Sequence, residues 1–166
     1  MKKLILLLLV SFSLYSFSQQ STLEWHTDVK KSIEISLETK KPIMLFFTGS
    51  DWCGWCKKLV REVYKTPQFS KWAKNNVVLL DLDFNRNFQQ KINNAKQGKV
   101  KLSENENMII DLSRTFGVRG YPTIWFVNAA KSSSGEVKLI EIGSTGYVAG
   151  GPTKWIESAE KILSNK

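Results

Sequence analysis

SDWCGWCKKL, residues Ser50–Leu59, contains both cysteines of this 166-residue chain. Cys53 and Cys56 lie three residues apart, among tryptophans and ahead of two lysines. Two cysteines at this spacing can form a structural disulfide, supply half of a metal site, or cycle between a dithiol and a disulfide. The sequence on either side of the pair helps to distinguish these three possibilities.

The pair lies where a predicted strand meets a predicted helix. Residues Ile43–Phe47 form a continuous apolar run between a proline and a glycine, which is typical of a strand buried on both faces. Residues Cys56–Tyr64 have the pattern of a helix. Cys53 therefore stands at the start of a helix, and Cys56 follows one turn later on the same face.

Helices and strands alternate along the rest of the chain. In order, the sequence predicts a short strand near Leu23–Trp25, an amphipathic helix from Trp25 to Lys40, a helical piece from Pro67, a strand at Val77–Phe84, a helix from Ser103 to Gly117, strands at Thr123–Val127 and Val137–Ile142, and a last helix from Pro152. Strands joined through helices are expected to be parallel. The predicted fold class is α/β, with a mixed central sheet, helices on both faces and an antiparallel C-terminal hairpin.

Residues 85–101 differ in composition from the elements around them. The segment is rich in Asn, Gln and Lys and shows no apolar face. We therefore interpret it as a polar surface insertion, mobile or loosely helical. Directly after it, Ser103 and Glu106 have the spacing of a capping box, which predicts the start of the next helix.

The first 18 residues have the pattern of a secretory signal peptide. Two lysines are followed by the apolar run Leu4–Val10 and by small residues ahead of a cleavage site predicted between Ser18 and Gln19. An uncleaved membrane anchor is the alternative, but the apolar run falls well short of the ~20 residues that span a bilayer. We expect a mature domain over residues 19–166 that is periplasmic or secreted, without stable membrane insertion.

Composition and charge are those of an ordinary globular protein. Hydrophobic residues make up 42% and charged residues 23% of the chain, which is enough for one core without dependence on a disulfide. The formal net charge is +9, but the lysines are scattered along the sequence. We therefore expect a solvated basic surface and no nucleic-acid partner.

The placement of the two cysteines favours redox chemistry. A thiolate attacks a disulfide, and the start of a helix favours negative charge. We expect a lowered pKa for Cys53, with some support from Lys57, so that Cys53 is the nucleophile and Cys56 the resolving cysteine. A disulfide across three residues would constrain the unfolded chain little. A metal site would need more ligands than two cysteines and His26, the single histidine, and we expect neither metal nor cofactor.

Two motifs resemble the thioredoxin superfamily, and most of all its exported thioredoxin-like members. One is WCGWCK, residues Trp52–Lys57, at a strand-to-helix junction. The other is GYPT, residues Gly120–Thr123, ahead of a late strand. The resemblance covers essentially the whole predicted mature domain. It implies the thioredoxin-like fold and thiol–disulfide exchange. Exported proteins with thiols or disulfides are then the expected partners, and a membrane electron donor or acceptor is a further candidate.

The resemblance also implies roles for residues near the cysteines. Pro122 corresponds to a cis proline that packs against the CxxC motif, which leaves the backbone of Tyr121 free to pair with an extended substrate peptide. Trp52 and Trp55 are expected to form an apolar collar around the sulfur and to bind substrate. Plain packing against the sheet is an equal alternative for Trp52. Asp51 is expected to cap the helix.

Two positions depart from the family's pattern. Many thioredoxins carry a buried aspartate six residues before the first cysteine, which helps to move the proton of the resolving cysteine, and some exported reductase domains use a glutamate seven residues after it. Here these positions are Phe47 and Val60. Because neither position carries an acid here, water or the nearby Glu62 would have to carry the proton. We therefore expect less efficient reduction than in thioredoxins that have such an acid.

Three functions are compatible with these patterns. The first is an exported thiol–disulfide oxidoreductase that acts as a reductase, an oxidant or an isomerase. The second is a binding module on the same fold, with dispensable cysteines, which the tryptophans and the 85–101 segment would permit. The third is a structural exported protein with a static disulfide. The intact CxxC motif favours the first.

Overall fold

The computed structural model describes residues 23–164, so the signal peptide predicted over residues 1–18 lies outside the described residues. In chain order the elements are β1 (Trp25–His26), α1 (Val29–Thr39), β2 (Ile43–Thr48), α2 (Gly54–Leu59), a π-helical segment (Val60–Tyr64), α3 (Pro67–Asn76), β3 (Val78–Asp83), α4 (Arg86–Lys96), α5 (Glu104–Thr115), β4 (Thr123–Lys131), β5 (Val137–Thr145) and α6 (Gly151–Leu163). Between residues 23 and 164 no helix has the length and apolar character needed to cross a membrane.

The strands form one mixed sheet in the order β1-β3-β2-β4-β5. The strands β1, β3 and β2 are parallel, because helices connect them, whereas β4 runs antiparallel to both β2 and β5. The predicted mixed sheet with a C-terminal antiparallel hairpin is confirmed.

Strand β2 is buried along its whole length and separates two cores. Met44 and Phe46 belong to the first core, together with residues of α2, the π-helical segment, α3 and α6. Leu45 and Phe47 belong to the second core, which α1, α4 and α5 cover. Because side chains alternate across a strand, the continuous apolar run of β2 serves both faces of the sheet.

Within the polar segment 85–101, residues Arg86–Lys96 form the regular helix α4 rather than a mobile or loosely helical insertion. Asn85 caps the helix by accepting a 2.9 Å hydrogen bond from the backbone N–H of Phe88. Phe88 and Ile92, one turn apart, pack against the second core. The prediction that this segment lacks an apolar face was wrong, because two apolar residues four positions apart lie on one side of a helix.

Other local predictions are confirmed. Ser103 and Glu106 form both hydrogen bonds of the capping box at the start of α5. The predicted helix Cys56–Tyr64 is helical throughout, but it changes from α to π geometry after Leu59. The last helix begins at Gly151, with Pro152 in its first turn.

Candidate active site

Cys53 and Cys56 are joined by a disulfide, with an S–S distance of 2.06 Å and Cα atoms 5.2 Å apart. Cys53 is 6% exposed and Cys56 is 1% exposed, so Cys53 is the more accessible of the two. Within residues 23–164, no group of three or more His, Cys, Asp or Glu side chains is arranged to hold a metal ion. The two sulfurs are therefore bonded to each other, at a helix start that connects β2 to α2.

Cys53 itself is the N-cap of α2. Its Sγ accepts a hydrogen bond from the backbone N–H of Cys56 at 3.1 Å, and its backbone N–H donates to the carbonyl of Gly49 at 2.8 Å. The prediction that Asp51 caps this helix was wrong, because the sulfur occupies that position. An N–H aimed at Sγ would bind a thiolate more strongly than a thiol, because hydrogen bonds to ionised acceptors are stronger.

Asp51 instead ties the loop before the cysteines to α4. Its carboxylate accepts a hydrogen bond from the backbone N–H of Arg86 at 3.2 Å and lies 3.8 Å from the guanidinium of the same residue. The ammonium of Lys57 donates to the backbone carbonyl of Asp51 at 2.8 Å. Helix α4 and helix α2 therefore hold this loop from two sides.

Trp52 and Tyr121 pack against each other on one side of the disulfide loop. The indole N–H of Trp52 donates to the carbonyl of Phe84 at 2.9 Å, and its ring meets the ring of Tyr121 edge-on at 5.4 Å. Burial raises the pKa of Tyr121. The peptide bond between Tyr121 and Pro122 is cis, as the resemblance implied. The indole of Trp52 is thus fixed by packing, while 37% of the residue stays exposed.

Trp55, between the two cysteines, is 58% exposed. Its ring centroid lies 5.2 Å from that of Tyr147, and the ammonium of Lys58 lies 5.0 Å from both centroids. The hydroxyl of Tyr147 donates to Glu62 Oε2 at 2.6 Å, and this bond is the main cause of the lowered pKa of Glu62. We call Trp55, Lys58 and Tyr147 the aromatic rim. Sequence reasoning missed Tyr147 because it comes from the β5–α6 loop, far along the chain.

A cavity of about 360 Å³ is lined by both Cys56 and Asp81, the fourth residue of β3. Asp81 is largely buried, and its Oδ1 has no hydrogen-bond partner among residues 23–164. Burial, with a smaller effect of Asp83, raises the pKa of Asp81 to about 7. The sequence offered one signal that could have identified this residue, namely an acidic side chain inside an otherwise apolar strand.

None of the three positions that the sequence suggested for a proton-carrying acid, residues 47, 60 and 62, places a carboxyl group in this cavity. Phe47 belongs to the second core, on the opposite face of the sheet. Val60 lines the cavity but carries no titratable group. The carboxylate of Glu62 accepts hydrogen bonds from Tyr147 and Arg61, and Glu62 is not among the residues that line the cavity.

Comparison with known proteins agrees with this geometry. Residues 29–138 match the family model of the thioredoxin-like domain. Disulfide bond reductase DsbH of Chlamydia pneumoniae is 30% identical over 109 residues, which cover 66% of this chain and 58% of DsbH. Thioredoxin-related protein DsbJ of the same organism is 29% identical over 119 residues, which cover 65% of this chain and 34% of DsbJ.

Among solved structures, a DsbH oxidoreductase superposes on this chain with a TM-score of 0.64 at 24% identity, covering 88% of each chain. This similarity confirms the predicted thioredoxin-like fold. The chain spans little more than half the length of the curated DsbH and about a third of DsbJ.

Proposed function

This chain belongs to the family of thioredoxin-like domains, and from that premise we propose that it is a thiol–disulfide oxidoreductase that exchanges disulfides with exported proteins. The observation that carries the proposal is the Cys53–Cys56 disulfide at a helix start, in which Cys53 is the more exposed residue of the two. The names of the relatives, disulfide bond reductase DsbH and thioredoxin-related DsbJ, support the same activity.

Cys53 is the nucleophile and Cys56 is the resolving cysteine. In the reducing direction, the Cys53 thiolate attacks a client disulfide and forms a mixed disulfide, and one client sulfur leaves with the electron pair of the broken bond. The backbone N–H of Cys56, 3.1 Å from Cys53 Sγ, stabilises the attacking thiolate. Cys56 then attacks Cys53 Sγ, which closes the protein's disulfide and releases the second client sulfur.

Client polypeptides dock on the exposed surface around the disulfide. The aromatic rim offers a large apolar contact at Trp55, and the cation of Lys58 lies over it. The backbone of Tyr121, beside Pro122, is the expected pairing edge for an extended client segment. Trp52 contributes mainly by packing on Tyr121, which keeps that edge in place.

The physiological direction is reduction of client disulfides outside the cytoplasm. The relative named a disulfide bond reductase supports this direction, and the N-terminal signal pattern supports a periplasmic location. Each turnover leaves Cys53 and Cys56 oxidised, so a partner dithiol must return two electrons to the pair. A membrane electron donor is the partner of this class that fits an exported protein.

Trapping of clients tests the proposal. Cys56→Ala retains the nucleophile but removes the residue that resolves the mixed disulfide, so it should accumulate covalent adducts with exported proteins that dithiothreitol dissolves. The double variant Cys53→Ala/Cys56→Ala is the matched control and should form none. Insulin reduction by the unmodified protein with dithiothreitol should show turnover. Absence of both adducts and turnover would favour the other two functions, a binding module with dispensable cysteines or a structural protein with a static disulfide.

A further inference from the structure

We propose that Asp81 accepts the proton of Cys56 when Cys56 attacks the mixed disulfide on Cys53. This inference rests on the proposed exchange function and adds to it the proton acceptor that Phe47 and Val60 do not supply. The observation behind it is one cavity of about 360 Å³ that is lined by both Cys56 and Asp81.

The register of the sheet puts Asp81 on the correct face. Asp81 of β3 pairs with Phe46 of β2, and Phe46 belongs to the core beneath α2. Helix α2 carries Cys56 over this face, so the two groups meet at one cavity although they are distant in the sequence. A cavity of this size, with several polar and charged side chains in its lining, has room for water, which would relay a proton between the two groups.

Asp81 is poised to take a proton because its carboxylate lacks strong partners. Its Oδ1 is buried without a hydrogen bond from residues 23–164. Two acidic side chains influence the Asp81 carboxylate or are influenced by it: the carboxylate of Asp83, two residues along β3, and the phenol of Tyr64. Burial, together with the Asp81 carboxylate, raises the pKa of Tyr64, which keeps that phenol neutral. Burial and Asp83 raise the pKa of Asp81 to about 7, where a general base is most effective near neutral pH.

Three cations also line the cavity, all from α2 and the residues that follow it: Lys57, Arg61 and Lys65. The ammonium of Lys57 donates to the carbonyl of Asp51, and Arg61 pairs with Glu62 at 3.2 Å. These contacts direct two of the three cations to groups other than Asp81. Burial therefore outweighs their attraction, and Asp81 keeps a raised pKa.

The step balances in atoms and electrons. The proton of the Cys56 thiol moves to the Asp81 carboxylate, and the Cys56 sulfur forms a bond to Cys53 Sγ. The bond between Cys53 and the client sulfur breaks, and the client sulfur leaves as a thiolate with that electron pair. The client thiolate takes a proton from solvent, and Asp81 later returns its proton to solvent.

Stopped-flow reaction of the reduced protein with an equimolar amount of dithiobis(nitrobenzoate) separates the two steps. The first release of thionitrobenzoate reports attack by Cys53 and is second order. The next release reports resolution by Cys56 and is first order. Asp81→Asn should slow the first-order phase about 10-fold or more at pH 7, within the range typical of general-base catalysis. It should leave the second-order phase within about twofold of the unmodified protein.

The pH profile distinguishes proton transfer from a structural role. In the unmodified protein the resolution rate should rise with pH, with a midpoint near 7. In Asp81→Asn that midpoint should disappear. The resolution rate should then continue to rise with pH up to about pH 8.5, the pKa of a free thiol. Asp111→Asn, an exposed acid on α5, is the matched control and should behave like the unmodified protein. Asp81→Ser serves as a second neutral variant if Asp81→Asn does not fold.

Two results would overturn the inference. One is an unchanged first-order phase and pH profile in the neutral variant that folds, Asp81→Asn or Asp81→Ser. The other is equal slowing of both phases, which would place the effect of Asp81 on Cys53. Failure of the proposed function itself looks different, since the unmodified protein would then show no second release at all, and the inference would fail with it.

Discussion

The indole N–H of Trp52 donates a 2.9 Å hydrogen bond to the backbone carbonyl of Phe84, which links the residue before Cys53 to the residue that follows β3. Gly49 makes this position possible, because a Cβ at Gly49 would lie 2.6 Å from the indole nitrogen of Trp52. Real Cβ atoms do not approach other atoms so closely. The glycine between β2 and the cysteines is therefore required by packing.

Gly49→Ala should displace the Trp52 ring and break its bond to Phe84. We expect a loss of about 1–3 kcal/mol in the free energy of unfolding, as for overpacking elsewhere, measured by chemical denaturation. The intrinsic tryptophan fluorescence of the folded state should change as well. Gly54→Ala, at the first residue of α2, is the matched control, because a Cβ there meets no atom of residues 23–164 within 4 Å. Equal stability of the two variants would contradict the packing argument.

Cys53 should be alkylated before Cys56 in the reduced protein. Cys53 is 6% exposed and Cys56 is 1% exposed in the disulfide form, and the helix start favours a thiolate at Cys53. Limiting iodoacetamide followed by peptide mass spectrometry should show carbamidomethyl predominantly on Cys53. The single variants Cys53→Ser and Cys56→Ser give the two reference rates. Faster modification of Cys56 would reverse the assigned roles.

Asp81→Asn should stabilise the fold at alkaline pH. The folded-state pKa of Asp81 is about 7, above the ordinary 3.8, so between these values the folded state retains a proton that the unfolded chain has released. The free energy of unfolding therefore falls as pH rises from about 4 through 7. Asparagine has no carboxyl group that titrates, so the stability of Asp81→Asn does not fall in this way. The variant should be more stable than the unmodified protein at pH 8 by roughly 2–4 kcal/mol.

Thermal denaturation of both proteins from pH 4 to pH 8 measures this difference. The gap in melting temperature should widen as pH rises and nearly close at pH 4, because pH 4 lies close to the ordinary pKa of 3.8 and the folded and unfolded states there differ little in bound protons. Asp111→Asn should show no such divergence, because its side chain is exposed. A constant gap at all pH values would show that Asp81 is not a buried, titrating group. A more stable but slower variant would indicate that burial of Asp81 is maintained for activity.

Tyr147→Phe should raise the pKa of Glu62 towards its ordinary value. The hydroxyl of Tyr147 is the main cause of the lowered pKa of Glu62, and phenylalanine removes it while it keeps the ring against Trp55. Titration of the glutamate side-chain carbons by NMR measures the change. Tyr121→Phe is a suitable control, since its hydroxyl is not among the causes of the Glu62 shift. No change in Tyr147→Phe would refute the role of this hydrogen bond.

Much of the architecture could be predicted from local patterns. The apolar run of β2, the capping box at Ser103 and Glu106, and the CxxC motif at a strand-to-helix junction each depend on neighbours within a few residues. Such signals are readable because period, capping and turn chemistry are short-range properties of the chain. Helix α4 was misjudged because its anchoring residues, Phe88 and Ile92, are isolated in a polar sequence.

The sequence by itself determined the fold class and the identity of the reactive pair. Only the tertiary structure decided which side chains surround that pair. Asp51 contacts Arg86 across two loops, Tyr147 reaches Trp55 from the far end of the chain, and Asp81 shares a cavity with Cys56. Each of these contacts depends on strand register and helix packing, which join residues far apart in sequence and leave no periodic trace in it.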